Sequence, residues 1–243
     1  MLRLYHTMRF LNTILNIVFP VNCISCGTPG ADLCAGCISN FPQAERENEK
    51  WIFSLYDYRH PPIKKALWLF KYNGKKNLAA IFAEVLYGKI IEELSDLVPM
   101  ENFNDPLLIP IPLSKKRRRE RGYNQAELIC HEIIRLSKTN RLTSPLALLS
   151  FSKWRGGGDK IFTLVNDILV KPRETEHQAR IEARQARLKN IVGSFATQND
   201  ELIKNRNIIL IDDITTTGAT LNEARKVLKQ AGAKKIIAFT VAH

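Results

Sequence analysis

Residues 208–220, IILIDDITTTGAT, constrain this chain more than any other stretch. An aliphatic run enters two adjacent carboxylates, Asp212 and Asp213, and then a loop of small hydroxylated residues broken by Gly218. The next segment reads as a helix, with Leu221, Ala224, Leu228 and Ala231 on one face and Glu223, Arg225, Lys226 and Lys229 on the other. Gly232 supplies a C-terminal stop. A buried parallel strand therefore ends at a polar loop that opens a helix, the place where open α/β sheets bind ligands. Amide and hydroxyl groups of Thr215, Thr216, Thr217, Gly218 and Thr220 can surround a phosphate there, where the helix dipole favours an anion. Asp212 and Asp213 are acceptors only, so they suit the vicinal hydroxyls of a ribose better than the phosphate itself. A simple helix cap would need one Asp and no run of threonines.

At 243 residues the chain has room for one large domain, or for a domain of roughly 150–200 residues plus a small module. Thirty-six basic residues against 24 acidic ones leave a net charge of +12, which favours an anionic partner: nucleotide, nucleic acid or anionic membrane surface. The apolar stretches are too short and too interrupted to span a membrane. The N-terminal segment MLRLYHTMRFLNTILNIVF starts basic and continues apolar, so a signal peptide has to be weighed. Asn12, Thr13 and Asn16 interrupt it and no small-residue cleavage site precedes Pro20, which favours an amphipathic helix docked on the protein. Peripheral membrane contact is the alternative. Translation starts at Met1 or Met8.

Cys23-x-x-Cys26 and Cys34-x-x-Cys37 form a second pattern. Each pair can clasp one metal ion through a tight knuckle, and Gly27 eases the first turn. Two knuckles complete a tetrathiolate site of the kind that holds structural zinc. Two disulfides or a redox pair are the other readings. A chain without an export signal, expected in the cytoplasm, keeps its thiols reduced, and redox CxxC motifs rarely come in tandem. Cys130, in a helical context, reads as core.

WIFSLYDY, from Trp51, alternates as a strand does, and residues 62–72 and 76–95 show helical spacing on either side of Gly74. Lys71 and Tyr72 fall at that turn, in reach of a ligand cleft. PLLIPIPL, residues 106–113, reads as a further buried strand. Six of the next seven residues from Lys115 to Arg121 are basic: Lys115, Lys116, Arg117, Arg118, Arg119 and Arg121. Such a run is ordinarily a solvated mobile loop, but at a strand's C-terminal end it would offer guanidinium forks to a pyrophosphate. Arg121-Gly122-Tyr123-Asn124-Gln125 then starts a helix.

The apolar strand, acid pair and Thr-Thr-Gly-x-Thr loop resemble the phosphoribosyl diphosphate (PRPP) motif of type I phosphoribosyltransferases. With the tetracysteine module, the Pro-x-Pro-Leu and basic segment, and Arg-Gly-Tyr-Asn-Gln, the chain resembles the ComF family (ComFC/GntX-like competence proteins) from about Phe19 to Val241. Arg173, Thr175, Gln178, Arg187, Asn190 and Phe195 echo a further family element, which corresponds to a flexible active-site loop; a plain exposed helix is the other reading of that polar stretch. The spacing from Gln178 to Asn190 is about one residue longer than usual, and residues 138–170, with Gly156 to Gly158, read as a flexible insertion of roughly twenty residues.

The resemblance implies an α/β fold: a type I phosphoribosyltransferase-like parallel sheet, strands near 107–112, 192–197, 207–212 and 235–241 plus at least one more, with helices on both faces. Residues 1–44 would hold the N-terminal helix and zinc ribbon, and 45–243 the transferase-like domain. It further implies PRPP bound with Mg²⁺. Thr215, Thr216, Thr217, Gly218, Ala219 and Thr220 would hold the 5′-phosphate, Asp212 and Asp213 the ribose as the catalytic pair, and Arg121 the pyrophosphate. In the family's role, uptake of single-stranded DNA in natural transformation, Lys115, Lys116, Arg117, Arg118 and Arg119 are the candidate nucleic-acid contacts. A competence helicase or other uptake machinery would be the protein partner. Trp51, Trp68, Trp154 and Tyr123 are candidate stacking residues. The alternative is an active phosphoribosyltransferase of nucleobase or nucleotide metabolism with no direct nucleic-acid role. Nothing in the sequence marks a dedicated base pocket.

Overall fold

A computed structural model describes residues 21–45, 49–139, 161–171 and 193–243. The chain divides into two compact units, Met1–Phe41 and Pro42–His243. The N-terminal helix expected before Phe19, and the 173–190 element, lie outside the described residues.

In the first unit the backbone folds back on itself, with Asn22 bridged to Pro29 in antiparallel fashion. A short helix, α1 (Ala35–Ser39), follows Cys34. Cys23, Leu33, Ile38 and Phe41 are the buried apolar residues among those described in this unit. So few among the described residues give this stretch little core of its own, and small modules are commonly stapled by a metal.

The second unit is built on a five-stranded parallel sheet. Its strands are β1 (Ile52–Tyr56), β2 (Leu107–Pro110), β3 (Thr163–Leu164), β6 (Asn207–Ile214) and β7 (Lys235–Ala242), in the order β1-β7-β6-β2-β3. β6 and β7 are central and nearly continuous in apolar residues, as strands covered on both faces must be. Side chains alternate between the faces. Ile208, Leu210, Ile236 and Ala238 pack with Leu221, Ala224 and Leu228 of one helix, α6 (Ala219–Gln230). The opposite face meets α3 (Leu78–Glu101) and α5 (Gln125–Thr139).

Three expectations change. Residues 193–197, the described part of the strand expected at 192–197, do not join the parallel sheet. Ala196–Thr197 (β5) instead pairs antiparallel with Leu169–Val170 (β4), and Phe195, Leu169 and Ile168 cover the α6 side of the core. One buried aromatic among polar neighbours suits a one-sided ribbon, not a strand buried on both faces. The expected insertion at 138–170 is also too wide: α5 runs to Thr139, and Phe162 is buried beside β3, the edge strand paired with β2. Finally, Glu223 is not on a solvated face. It is buried, and its Oε1 accepts the Gly193 N–H at 2.6 Å.

α2 (Pro61–Tyr72) is fixed at its C-terminal end by the Arg-Gly-Tyr-Asn-Gln segment. The Tyr123 hydroxyl donates to the Phe70 carbonyl, and Gln125 Nε2 donates to the same oxygen at 3.4 Å. The last carbonyls of a helix lack intrahelical partners, so these two side chains satisfy one of them. Asn124 Nδ2 donates to the Ile111 carbonyl at 3.0 Å while its Oδ1 accepts the Ala126 N–H at 3.1 Å, capping α5 onto the end of β2. Asn124→Ala should cost about 1–3 kcal/mol in denaturant unfolding at an unchanged m-value, because it strands a buried carbonyl and a helix-terminal amide.

Candidate functional site

In a parallel sheet all strands end at the same edge, and the acid pair lies at the C-terminal edge of this one. β6 carries Asp212 and Asp213 near its end, and β2 leads through Ser114 into the basic segment. Asp213 is buried at 6% exposure, Asp212 is partly buried, and the Asp213 N–H donates to Asp212 Oδ1 at 2.8 Å. Lys71 Nζ sits 3.0 Å from Asp213 Oδ1, with both side chains mostly shielded from water. Burial, and then the neighbouring Asp213 charge, push the Asp212 carboxyl up to about 7.

The loop after β6 is stiffened by β7 and from within. Thr215 is buried, its N–H donates to the Ala242 carbonyl at 3.0 Å, and its hydroxyl accepts the Gly218 N–H at 3.2 Å. Gly218 has φ +69°, and a Cβ there would press against Ile52 and Asn222 at 3.4 Å, so glycine is the residue that fits this helix entry. The amides of Thr215 and Gly218 are thus engaged, the first with β7 and the second within the loop. Thr216 and Thr217 are exposed, and Ala219 and Thr220 are half-buried at the start of α6. These four residues present the groups that can meet a phosphate at the helix N-terminus.

Residues 115–121 form a short helix, α4 (Lys115–Arg121), and not the loop that the charge run suggests. Ser114 Oγ accepts the Arg117 N–H at 3.4 Å, and Gly122 ends the helix at φ +77°. Lys115, Lys116, Arg117, Arg118 and Arg119 are all exposed, with Arg118 paired to Glu127 at 3.2 Å. Arg121 points elsewhere. Its Nη1 donates to Gln125 Oε1 at 2.9 Å, and its guanidinium lies 5.2 Å from the centre of the Tyr72 ring. Lys71 reaches the acid pair and the next residue, Tyr72, holds Arg121, so the end of α2 joins the acid pair to the basic segment. The sequence placed Lys71 near a cleft; its pairing with Asp213 is a contact across the fold that no local pattern encodes.

Of the candidate stacking residues, Trp51 and Tyr123 are buried, the first with Arg225 4.5 Å from its ring centre, and Trp154 lies outside the described residues. Trp68 is 56% exposed. A cleft of about 490 Å³ sits at the opposite edge of the sheet, by Asn102, Asn104, Asn205, Arg206 and Lys234. There Asn207 Nδ2 donates to the carbonyls of Asn102 and Asn104, a turn-fixing arrangement remote from the carboxylates.

In the N-terminal unit the sulfur atoms of Cys23, Cys26, Cys34 and Cys37 lie within 4.8 Å of one another, and all four thiols are free. The first knuckle closes through Gly27 N–H to the Cys23 carbonyl at 2.9 Å, with Gly27 at φ +77°. The Cys34 N–H donates to Cys23 Sγ at 3.4 Å. Four thiols on two knuckles with an amide donor to sulfur are suited to one tetrahedral metal ion.

Among known proteins, the phosphoribosyl transferase domain family matches residues 158–243. Competence protein F of Haemophilus influenzae is 24% identical over 220 residues, covering 87% of this chain and 81% of that protein. Competence protein ComFC of Bacillus subtilis is 30% identical over 189 residues, covering 77% of this chain and 62% of that protein. DNA utilization protein YhgH of Salmonella typhi is 24% identical over 218 residues, covering 88% and 80%.

The acid pair has a measurable consequence for stability. An Asp212 carboxyl raised from about 4 to about 7 binds more protons in the folded than in the unfolded state between those values. Stability from this group is therefore present at low pH and is lost as pH rises through 7. Asp212→Asn should raise the unfolding free energy at pH 8 by on the order of 1–3 kcal/mol, and the gain should shrink towards pH 4, as followed by urea unfolding across that range.

Proposed function

The chain belongs to the ComF family of competence proteins, and from that premise we propose that it binds PRPP at the Asp212–Asp213 cleft and handles single-stranded DNA during natural transformation, in the cytoplasm. The observation that carries the reading is the acid pair at the C-terminal end of β6, followed directly by a threonine loop at a helix N-terminus and faced by Lys71. Thr216, Thr217, Ala219 and Thr220 would take the 5′-phosphate, with Thr215 and Gly218 shaping their loop. Asp212 and Asp213 would accept from the ribose hydroxyls, and Arg121 and its basic neighbours would face the diphosphate. Hard carboxylate oxygens are compatible with Mg²⁺, which would arrive with PRPP and neutralise part of the diphosphate charge. Lys71 would be released from Asp213 when sugar hydroxyls or a cation take its place.

The second reading is turnover. A base would attack the anomeric carbon, the bond from that carbon to the diphosphate oxygen would break, and pyrophosphate would leave with the bonding electron pair. This chain would supply position and positive charge for that step. Lys71 beside the acid pair, with Arg121 held on the neighbouring Tyr72, favours it. Handling of single-stranded DNA would draw on the exposed basic helix 115–119, and a competence helicase or other uptake machinery would be the partner.

Zinc is the metal proposed for the four thiolates, since a closed tetrathiolate site with no redox demand suits it. Elemental analysis of freshly purified, reduced protein should find one zinc per chain. Cys34→Ser should loosen residues 21–41 and leave the Pro42–His243 unit folded; protein free of zinc would contradict the assignment.

Calorimetric titration of PRPP at fixed Mg²⁺ tests the main proposal. A carboxylate hydrogen-bonded to a hydroxyl is worth about 1.5–3 kcal/mol, so Asp212→Asn with Asp213→Asn should weaken binding at least tenfold while the fold persists. If the acids only shaped the loop, the double variant would change stability with no dependence on ligand. The absence of heat and of thermal shift at millimolar PRPP would remove the reading.

A further inference from the structure

Trp68 and Tyr72 are the exposed aromatic residues among the described ones, at 56% and 61%. Both lie on α2, four residues apart and therefore on one face, with Lys64 a further turn back on the same face. Their ring centres are 6.3 Å apart with planes inclined at 48°. Such an incline cannot hold a base sandwiched between them, but each ring can take a base on its outer side. Tyr72 is held in place: Arg121 covers its ring and an Arg121 Nη2 approaches its hydroxyl at 3.5 Å.

The surroundings of this pair are cationic. From Tyr58 to Ala83 the chain carries Arg59, Lys64, Lys65, Lys71, Lys75 and Lys76 and no acidic residue. Lys64 and Lys65 are exposed in the turn before Trp68, and Lys76 is exposed with its Nζ 5.0 Å from the centre of the Tyr123 ring. Beyond Arg121 the exposed residues of α4 continue the positive charge. A protein-docking hot spot buries its aromatics within an apolar patch. Here the flanking side chains are lysines and arginines, and large rings amid cations match a polyanion whose bases are unpaired.

We propose that the Trp68–Tyr72 face of α2 is a base-stacking platform for single-stranded DNA, with phosphates running over Lys64, Lys65 and α4. The inference rests on the DNA-handling role proposed above and gives that role a surface. Because Tyr72 follows Lys71 directly, the platform lies next to the acid pair, so the strand and PRPP would meet at the end of one helix.

The test is fluorescence anisotropy with a labelled oligothymidylate over a range of salt concentrations, using the full chain. Both rings are exposed, so substitution leaves the core intact, and thermal melting checks that. Trp68→Ala with Tyr72→Ala should weaken binding about tenfold or more while the slope of log affinity against log salt stays unchanged, since no charge is lost. Trp68→Phe with Tyr72→Phe should retain most of the affinity. Lys64→Ser with Lys65→Ser should flatten the slope by about 1.4. An alanine pair that binds as the wild type does would overturn the platform and leave DNA handling standing. Equal affinity for duplex and single strand would overturn it too, since paired bases present no free face. A wild type that binds no oligonucleotide would remove DNA handling itself. Should the alanine pair alter sedimentation of the protein alone and leave DNA affinity unchanged, the face would be a contact between copies, and the platform would be wrong.

Discussion

Two carboxylates in sequence at the end of a buried strand repel each other, and the Lys71–Asp213 pair is what makes this placement tolerable. Breaking a shielded ion pair by removing one partner leaves an uncompensated charge, a loss of about 3–5 kcal/mol when burial is complete. Much of the second unit serves to keep Lys71 where it is. The carbonyl of Phe70, one residue earlier, is held by Tyr123 and Gln125, and Asn124 ties the start of α5 to the end of β2. One motif thus aligns three elements around one ion pair.

The same arrangement explains why a stable sheet carries a strained edge. The central strands and α6 bury aliphatic side chains on one face and α3 and α5 close the other. That leaves the C-terminal edge free to hold charges that do not stabilise the protein by themselves. A raised Asp212 carboxyl is the sign of such strain, and sites tuned by burial and like charge are frequently functional. The N-terminal unit solves a different problem. Among its described residues few apolar side chains are buried, and the four convergent thiols provide a constraint beside that burial.

Much of this was legible in the sequence because it is encoded locally. The strand, acid pair, loop and helix of 207–230 occur in order, the helices at 61–72 and 78–101 follow the apolar spacing, and the four cysteines converge as their spacing implies. The misreadings came from contacts across the fold or from one signal outweighing another. Six positive charges hid the Ser114 cap and the Gly122 stop that make 115–121 a helix. Glu223 looked solvated on an amphipathic wheel, yet it holds the Gly193 amide thirty residues away. Phe195 promised a strand of the main sheet, but its neighbours lack the second apolar face such a strand needs. Lys71 lies 142 residues from Asp213, a distance over which no periodicity speaks.

The most direct test of the central claim is a crystal structure of the protein with PRPP and Mg²⁺. A ribose-phosphate site at the end of β6 requires the 5′-phosphate against residues 216–220, the ribose hydroxyls on Asp212 and Asp213, and Lys71 withdrawn from Asp213. PRPP bound elsewhere, with the Lys71–Asp213 pair intact at full occupancy of the ligand, would contradict it.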